Sequence, residues 1–314
     1  MRAAVVEKYG PPEVVQIRDL PLPRVAAKSV LVRVAATAVT SGDARIRGAN
    51  FPDGFGTLSR LALGFRGPRR TVLGGVFSGT IEALGAKVTG FAVGEEVCGM
   101  TGISMGCHAQ YVVAPATKLA PKPATVSHDQ AAGLLFGGSA ALHFLRVAGT
   151  GPGSTVLVNG ASGAIGTNAV QLAKHLGATV TAVTSGRNAE LVEALGADDV
   201  IDYTRTPLAG IGRRFDVVLD NVGSLDRRTA RRLLTENGTA LLAVASLGDN
   251  LVARGNVKAG VAPERAEAFA YLLSLVASRD LRVIVDEVMD LDDIQQAHRR
   301  VDTGHKVGNL VVRC

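Results

Sequence analysis

The sequence predicts an α/β chain, a doubly wound parallel sheet preceded by a compact and mainly β region. Three observations predict it. From about residue 127 to 247, short apolar runs alternate with helical periodicity, the pattern of βα units that feed a parallel sheet. The stretch 156–177, "VLVNGASGAIGTNAVQLAKHLG", reads as a buried strand, three evenly spaced glycines and an amphipathic helix. The first third instead carries β-branched alternation and glycine-rich apolar runs with little helical period.

The elements follow in order. Residues 30–39 (VLVRVAATAV) alternate, 72–84 are rich in glycine and apolar groups, and 96–113 hold two short apolar runs around a glycine-rich middle. These predict a barrel-like or irregular sheet. Residues 129–147 predict a helix, 156–159 a strand, 164–176 a helix and 179–184 a strand. A helix over 188–195 is stopped by Gly196, a common C-terminal signal. Short strands follow at 200–201 and 216–220, a helix at 226–234, a strand at 239–245 and a helix at 263–278. Residues 281–314 return to mixed strand and helix. No repeat of solenoid length is present.

Bulk properties narrow the function classes. A chain of 314 residues, 47% apolar and 20% charged, can bury two ordinary cores. Met1 to Val6 runs straight into a strand-like pattern, so no secretory leader is expected. No window nears 18 uninterrupted apolar residues, so neither a membrane span nor a membrane partner is expected. Cys98, Cys107 and Cys314 are too few for a disulfide framework, and a reducing cytoplasm is the expected setting. The net charge is +6, but only eight of the 34 basic residues are lysine and the arginines are scattered. The pairs at 69–70, 213–214 and 231–232 lack interleaved aromatics, so no nucleic-acid surface is expected.

The glycine stretch carries the first chemistry. Gly160, Ala161, Ser162, Gly163, Ala164, Ile165 and Gly166 follow a strand and open a helix. The first two glycines let the backbone approach a pyrophosphate, and the third lets helix pack on strand. The helix N-terminus adds N–H groups and partial positive charge. The alternative is a tight turn without ligand. A free ribose 2′-hydroxyl is usually held by an acid at the end of the next strand. Here Thr184, Ser185, Gly186, Arg187 and Asn188 occupy that point, with no acid before Glu190. A hydroxyl plus a guanidinium suits a 2′-phosphate, which predicts NADPH over NADH. Ser185 and Asn188 could also simply cap the following helix.

On these motifs the chain resembles the zinc-independent medium-chain dehydrogenase/reductases, in the quinone oxidoreductase or zeta-crystallin-like branch. The resemblance covers essentially the whole chain. Its segments are "MRAAVVEKYGPPEVV", "LGGVFSGTIEALGAKVTGFAVGEEVCG", the glycine stretch continued to "VIDY", and "AHRRVDTGHKVGNLVV". It implies a GroES-like catalytic domain from both chain ends (1–123 and 279–314) and a Rossmann-like NADPH-binding domain (124–278). It also implies a cleft between them and a homodimer formed through an edge strand near 256–261.

Zinc is where the chain departs from the superfamily's alcohol dehydrogenases. Thr40 stands where their ligand cysteine falls, and Gly75 and Val76 replace their His-Glu step. The four-cysteine lobe is absent, and Cys98, Cys107 and His108 fit no standard ligand spacing. No metal is expected. Without a Lewis acid, alcohol oxidation is unattractive. Quinones and α,β-unsaturated carbonyls spread the arriving charge themselves, so the protein needs mainly orientation and a few donors near the oxyanion.

The resemblance then implies site residues. Thr40 replaces an Asn beside the nicotinamide, and Arg45 replaces a Tyr facing the substrate. Arg45 would stabilise an enolate, or would be a solvated arginine. Asp43 would orient its neighbours. Ser139 in "FGGSAALHF" matches a hydroxyl near the nicotinamide, read here at a helix start. Tyr203 would meet the adenosine phosphate, Asn221 and Gly223 the ribose, and Ala245 and Ser246 the nicotinamide. Lys306 and Asn309 lie in a segment that folds over the cleft. His298 and His305 read as surface or helix-end histidines. Residues 50–70 carry six large apolar groups and read as a roof over an apolar substrate, or as a locally packed loop. Three functions remain open. They are a metal-free NADPH-dependent reductase of quinones or activated C=C bonds, a zinc alcohol dehydrogenase, and a non-catalytic NADPH-binding protein like the crystallin- and RNA-binding relatives.

Overall fold

The computed structural model describes the chain apart from residues 52–53, 55 and 245–254 and the side chains of 57, 58 and 227. In the first part, β1 (Arg2–Val6) and β2 (Val15–Asp19) form an antiparallel hairpin. Next come β3 (Ser29–Val39), α1 (Ser41–Gly48), α2 (Gly56–Leu63), β4 (Val76–Leu84), β5 (Glu96–Met100), β6 (Tyr111–Pro115) and β7 (Leu119–Pro121). The long α3 (His128–Val147) leads to β8 (Thr155–Asn159), α4 (Ala164–His175), β9 (Thr179–Thr184), α5 (Ala189–Ala194) and β10 (Asp199–Asp202). Then follow β11 (Phe215–Asp220), α6 (Arg227–Arg232), β12 (Leu234–Leu242), β13 (Val257–Ala259), α7 (Ala266–Ala277), β14 (Val285–Asp290), α8 (Ile294–Asp302) and β15 (Asn309–Arg313).

Two large sheets result. One is parallel, in the order β10-β9-β8-β11-β12-β13. The chain leaves β8 in both directions, so strand order reverses between β8 and β11, where such sheets open a crevice. The other sheet runs β14-β15-β3-β4-β5-β7, with β6 also on β3. Strand β3 is buried on both faces along much of its length, which explains its near-continuous apolar run. The chain therefore comprises a Rossmann-like parallel-sheet domain and a mainly β GroES-like domain.

Helix α3 joins them. Ser127 and Gln130 form a reciprocal capping box at its start, with bonds of 3.1 and 3.0 Å, which satisfies two otherwise orphaned donors. The helix is apolar nearly all round because a single core runs from α3 to α4 and α7 and out to β3, β4 and β5. A Cβ on Gly137 would overlap the Ala164 carbonyl, so α3 meets the start of α4 at backbone contact.

Several boundaries differ from the sequence expectation. Helix α6 stops at Arg232, and β12 starts at Leu234 rather than at 239. Leu233 and Leu234 are fully apolar and buried, and a register shift opposite Phe215 and Val217 carries the chain past Gly238. Burial thus overrides local helical periodicity. Residues 50–70 are not a plain loop, because they contain α2.

Candidate functional site

The cofactor side is built at the C-terminal ends of the parallel strands. Gly160 leaves β8 with φ +75°, a backbone region that favours glycine. The Gly160 and Ala161 amides both donate to the Val183 carbonyl, at 3.1 and 3.0 Å, which ties the turn to β9. Gly163 is the N-cap of α4 and supplies no side-chain cap, so the first-turn N–H groups of Ala164, Ile165 and Gly166 point outward uncapped. A Cβ on Gly166 would overlap the Gly160 carbonyl, whereas at Gly163 the nearest atom would lie 3.4 Å away. Gly166 is thus needed for packing, and Gly163 leaves open room above it. This is the division of labour a pyrophosphate cradle requires.

Beside the cradle, the Ser162 hydroxyl accepts from Thr184 Oγ1 at 2.9 Å and from Asn188 Nδ2 at 3.0 Å. Neither Ser185 nor Asn188 caps its helix, which removes the capping reading. Arg187 is exposed at the same strand end. An acid does reach this point, from the next strand rather than from β9. Asp202, at the end of the neighbouring β10, places its carboxylate against Gly186. It accepts from the Thr204 amide at 2.9 Å and hydroxyl at 2.7 Å, and these bonds hold its pKa below the usual range. Tyr203 follows, half exposed, its amide on the Thr184 carbonyl at 3.1 Å. At the end of β11, buried Asp220 accepts from Asn159 Nδ2 and from the Val222, Gly223 and Leu225 amides. It shapes the turn that holds Asn221 and Gly223. The Asn221 amide nitrogen donates to the Asn159 carbonyl at 3.1 Å, while its Oδ1 is buried without a partner. An orphaned acceptor at a strand end is what a ribose hydroxyl would satisfy. Ala245 and Ser246 lie outside the described residues.

The second sheet delivers its own strand ends to the same place. β3 ends at Val39, opposite Leu310 of β15, and β4 begins at Val76 opposite Met100, the end of β5. Gly308, just before β15, donates its amide to the Ser162 carbonyl at 2.8 Å and bridges Gly163. Gly75, Thr40, Met100 and the glycine cradle therefore share one edge between the two sheets. Thr40 caps α1 in a capping box with Asp43. Asp43 Oδ2 accepts from the Thr40 amide at 2.8 Å and hydroxyl at 2.6 Å, while Oδ1 accepts from the Gly74 amide at 3.0 Å. Asp43 is thereby consumed in orienting the loop. Arg45 is half-buried, and burial alone lowers its guanidinium pKa, with no carboxylate contributing.

Three expectations need correction. Ser139 lies mid-helix in α3, not at a helix start. Its hydroxyl donates to the Leu135 carbonyl at 2.5 Å, which spends it within its own helix. Asn309 is buried and donates to the Ile284 carbonyl at 3.1 Å, so its amide nitrogen anchors β15. His298 is fully buried in α8. It stacks edge-on to His108 at 5.9 Å with both ring nitrogens unpartnered, and burial pushes its pKa down to about 2. His305 is exposed as expected. Lys306 donates to the Gly308 carbonyl at 2.6 Å, and burial lowers its pKa to about 8. Of the apolar groups in 50–70, Leu61 and Phe65 are 50% and 60% exposed, so they are not packed into a local core. Phe55 and the Leu58 side chain lie outside the described residues.

Comparisons with known proteins match this architecture. The family description "Alcohol dehydrogenase GroES-like domain" fits residues 26–124, and "Zinc-binding dehydrogenase" fits residues 195–312. The mitochondrial NAD(P)H oxidoreductase RTN4IP1 of Danio rerio is 29% identical over 99% of this chain and 91% of its own. The chloroplastic NADPH-dependent alkenal/one oxidoreductase of Arabidopsis thaliana is 28% identical over 99% and 79%. The solved structure of the quinone oxidoreductase from Coxiella burnetii superposes with a TM-score of 0.90, at 28% identity, over 100% and 99% of the two chains. The chain belongs to the medium-chain dehydrogenase/reductase superfamily, in its quinone oxidoreductase branch. The fold, the cradle and the relatives together make this reductase a nicotinamide-dependent protein.

One family description mentions zinc, so the ligand positions matter. In this reductase Thr40, Gly75 and Val76 stand there. Among the described residues no three His, Cys, Asp or Glu side chains come together as a metal site. Burial holds the Cys98 and Cys314 thiols up near 12 and raises Cys107 further. No helix among the described residues is long and apolar enough to cross a membrane.

Proposed function

We propose that the protein is a metal-free, NADPH-dependent reductase of quinones or activated C=C bonds. The observation that carries this reading is the shared edge. An uncapped helix N-terminus and glycine cradle lie at the edge that also carries the Thr40 N-cap, and half-buried Arg45, without a carboxylate partner among the described residues, follows on the same helix α1. Asp43, the carboxylate described at this edge, is bonded to Thr40 and Gly74 and is not free to act as a base.

Gly160, Gly163 and the amides of Ala164, Ile165 and Gly166 hold the pyrophosphate. Ala161 and Ser162 line it, with Gly308 closing over Ser162 and Lys306 adding positive charge. Thr184, Ser185, Arg187 and Asn188 take the 2′-phosphate, with Arg187 offsetting Asp202. Tyr203 packs on the adenosine, and Asn221 and Gly223 meet the ribose. The bound nucleotide supplies the hydride. Arg45 then stabilises the phenolate or enolate oxygen that forms, while Thr40, whose one hydroxyl proton is donated to Asp43 Oδ2, holds the loop beside it and would serve the oxyanion only after that bond is exchanged. Ser139 supports the wall from α3. Residues 1–123 and 279–314 would be the catalytic domain, and 124–278 the NADPH-binding one. Edge strand β13, beside a 93% exposed Val261, would pair two copies into a dimer. Buried free thiols fit a reducing compartment such as the cytoplasm.

The test is NADPH consumption at 340 nm with EDTA present, against a panel of quinones and enals. Turnover despite chelator supports the reading. NADPH binding without turnover on any acceptor would replace it with a non-catalytic binding protein. Activity only after zinc is added would replace it with an alcohol dehydrogenase.

A further inference from the structure

The segment from α2 to β4 presents an unusual surface. Arg60, Arg66, Arg69 and Arg70 are all exposed, as are Leu61 and Phe65. Ile103, from the turn after β5, is 85% exposed on the same face. Ile46, Ala62, Leu63, Arg69, Arg70 and Ile103 share an open groove of about 260 Å³. The backbone beneath is tied to the N-terminal hairpin. Tyr9 donates to the Gly64 carbonyl at 2.7 Å, and a Cβ on Gly67 would overlap the Glu7 carbonyl. Among the described residues no carboxylate pairs with these arginines: Arg60 lies over the Tyr9 ring and Arg69 reaches the Ala62 carbonyl. The adjacent Glu7 carboxylate is turned to Arg18 at 3.3 Å.

Protruding apolar tips ringed by arginines match the chemistry of an anionic bilayer surface. The tips enter the acyl boundary while the guanidiniums reach lipid phosphates. A single-stranded nucleic acid would favour a row of exposed aromatic platforms, and among the described residues of this face Phe65 is the exposed aromatic. We propose that this face docks the protein peripherally on a membrane bearing anionic phospholipid. A surface contact of this kind needs no spanning helix. The sequence expectation of no membrane partner rested on the lack of a spanning segment alone, and peripheral docking departs from it.

The test is co-sedimentation of the full-length protein with vesicles of phosphatidylcholine, with and without phosphatidylglycerol. The protein is expected to sediment with the phosphatidylglycerol vesicles at low salt and to be released at about 1 M salt, where screening reaches a few ångströms. Arg69→Ala with Arg70→Ala lowers the partition coefficient roughly 25-fold, at about fivefold per arginine. Phe65→Ser with Leu61→Ser also lowers it, and the distant pair Arg213→Ala with Arg214→Ala leaves it unchanged. Absence of sedimentation overturns the proposal, as does an equal loss in the distant pair. So does a patch variant that dissociates an oligomer in light scattering without changing vesicle binding, which would make a second copy the occupant. Vesicle binding is read without turnover, so its failure is separate from failure of the reductase reading.

Discussion

The two sides of the cleft are made of different material. The cofactor side is mostly backbone: amides at a helix start, carbonyls at strand ends, and glycines where a Cβ would collide. The acceptor side is mostly side chain: Thr40 and Arg45, presented by helix α1. Backbone geometry serves a ligand whose shape never varies. Side chains serve a ligand class that does. The difference teaches that substitutions on the first side should break binding through packing, and those on the second should change rate or acceptor choice with the fold intact.

The largest expected effect breaks the cradle. Gly166→Val forces side-chain atoms into the Gly160 carbonyl, with overpacking of about 1–3 kcal/mol or more, and NADPH binding by fluorescence should vanish. Gly163→Ala, with open room and ordinary φ, should keep its melting temperature within a degree or two while binding weakens. If both variants behave alike, the two glycines do not divide the work. Next is Arg45→Met. Removing one oxyanion donor costs on the order of a hundredfold in kcat, with NADPH affinity unchanged. A changed KM with normal kcat would make Arg45 a solvated arginine. Smaller again is Arg187→Ala, which should raise KM for NADPH roughly tenfold, the worth of one charged hydrogen bond, and leave KM for NADH alone. Equal shifts for both cofactors would break the 2′-phosphate assignment.

The smallest effect lies outside the cleft. Buried His298 carries two unpartnered nitrogens, so His298→Leu should keep or raise the melting temperature. In the wild type, the folded pKa near 2 lies below the unfolded value near 6.5. The unfolded chain therefore binds the extra proton in that window. This contribution to stability is complete above about pH 6.5 and is lost as pH falls toward 2. Urea midpoints measured from pH 7 to 4 should fall less steeply in His298→Leu than in the wild type. Parallel slopes would mean that His298 is not buried neutral.

Much of the fold was legible because it is local. A strand, three glycines and a helix specify the cradle within 22 residues, since turn geometry and helix-end electrostatics depend on near neighbours. Helix α6 and strand β12 were misjudged at their junction because burial of Leu233 and Leu234 outweighed periodicity. Ser139 was assigned to a helix start because motif matching carries residue type but not the hydrogen bond to Leu135.

By itself, then, the sequence determined the parallel sheet, the cradle and the absence of the usual zinc ligands at their positions. The tertiary structure alone decided the rest. It set Asp202 against Gly186 from a neighbouring strand, drew Asn188 onto Ser162, laid Gly308 across the cradle and buried His298 beside His108. Each of these pairs is separated by many residues along the chain. Only the packing of sheets and helices, driven by burial of apolar surface, brings them within bonding distance.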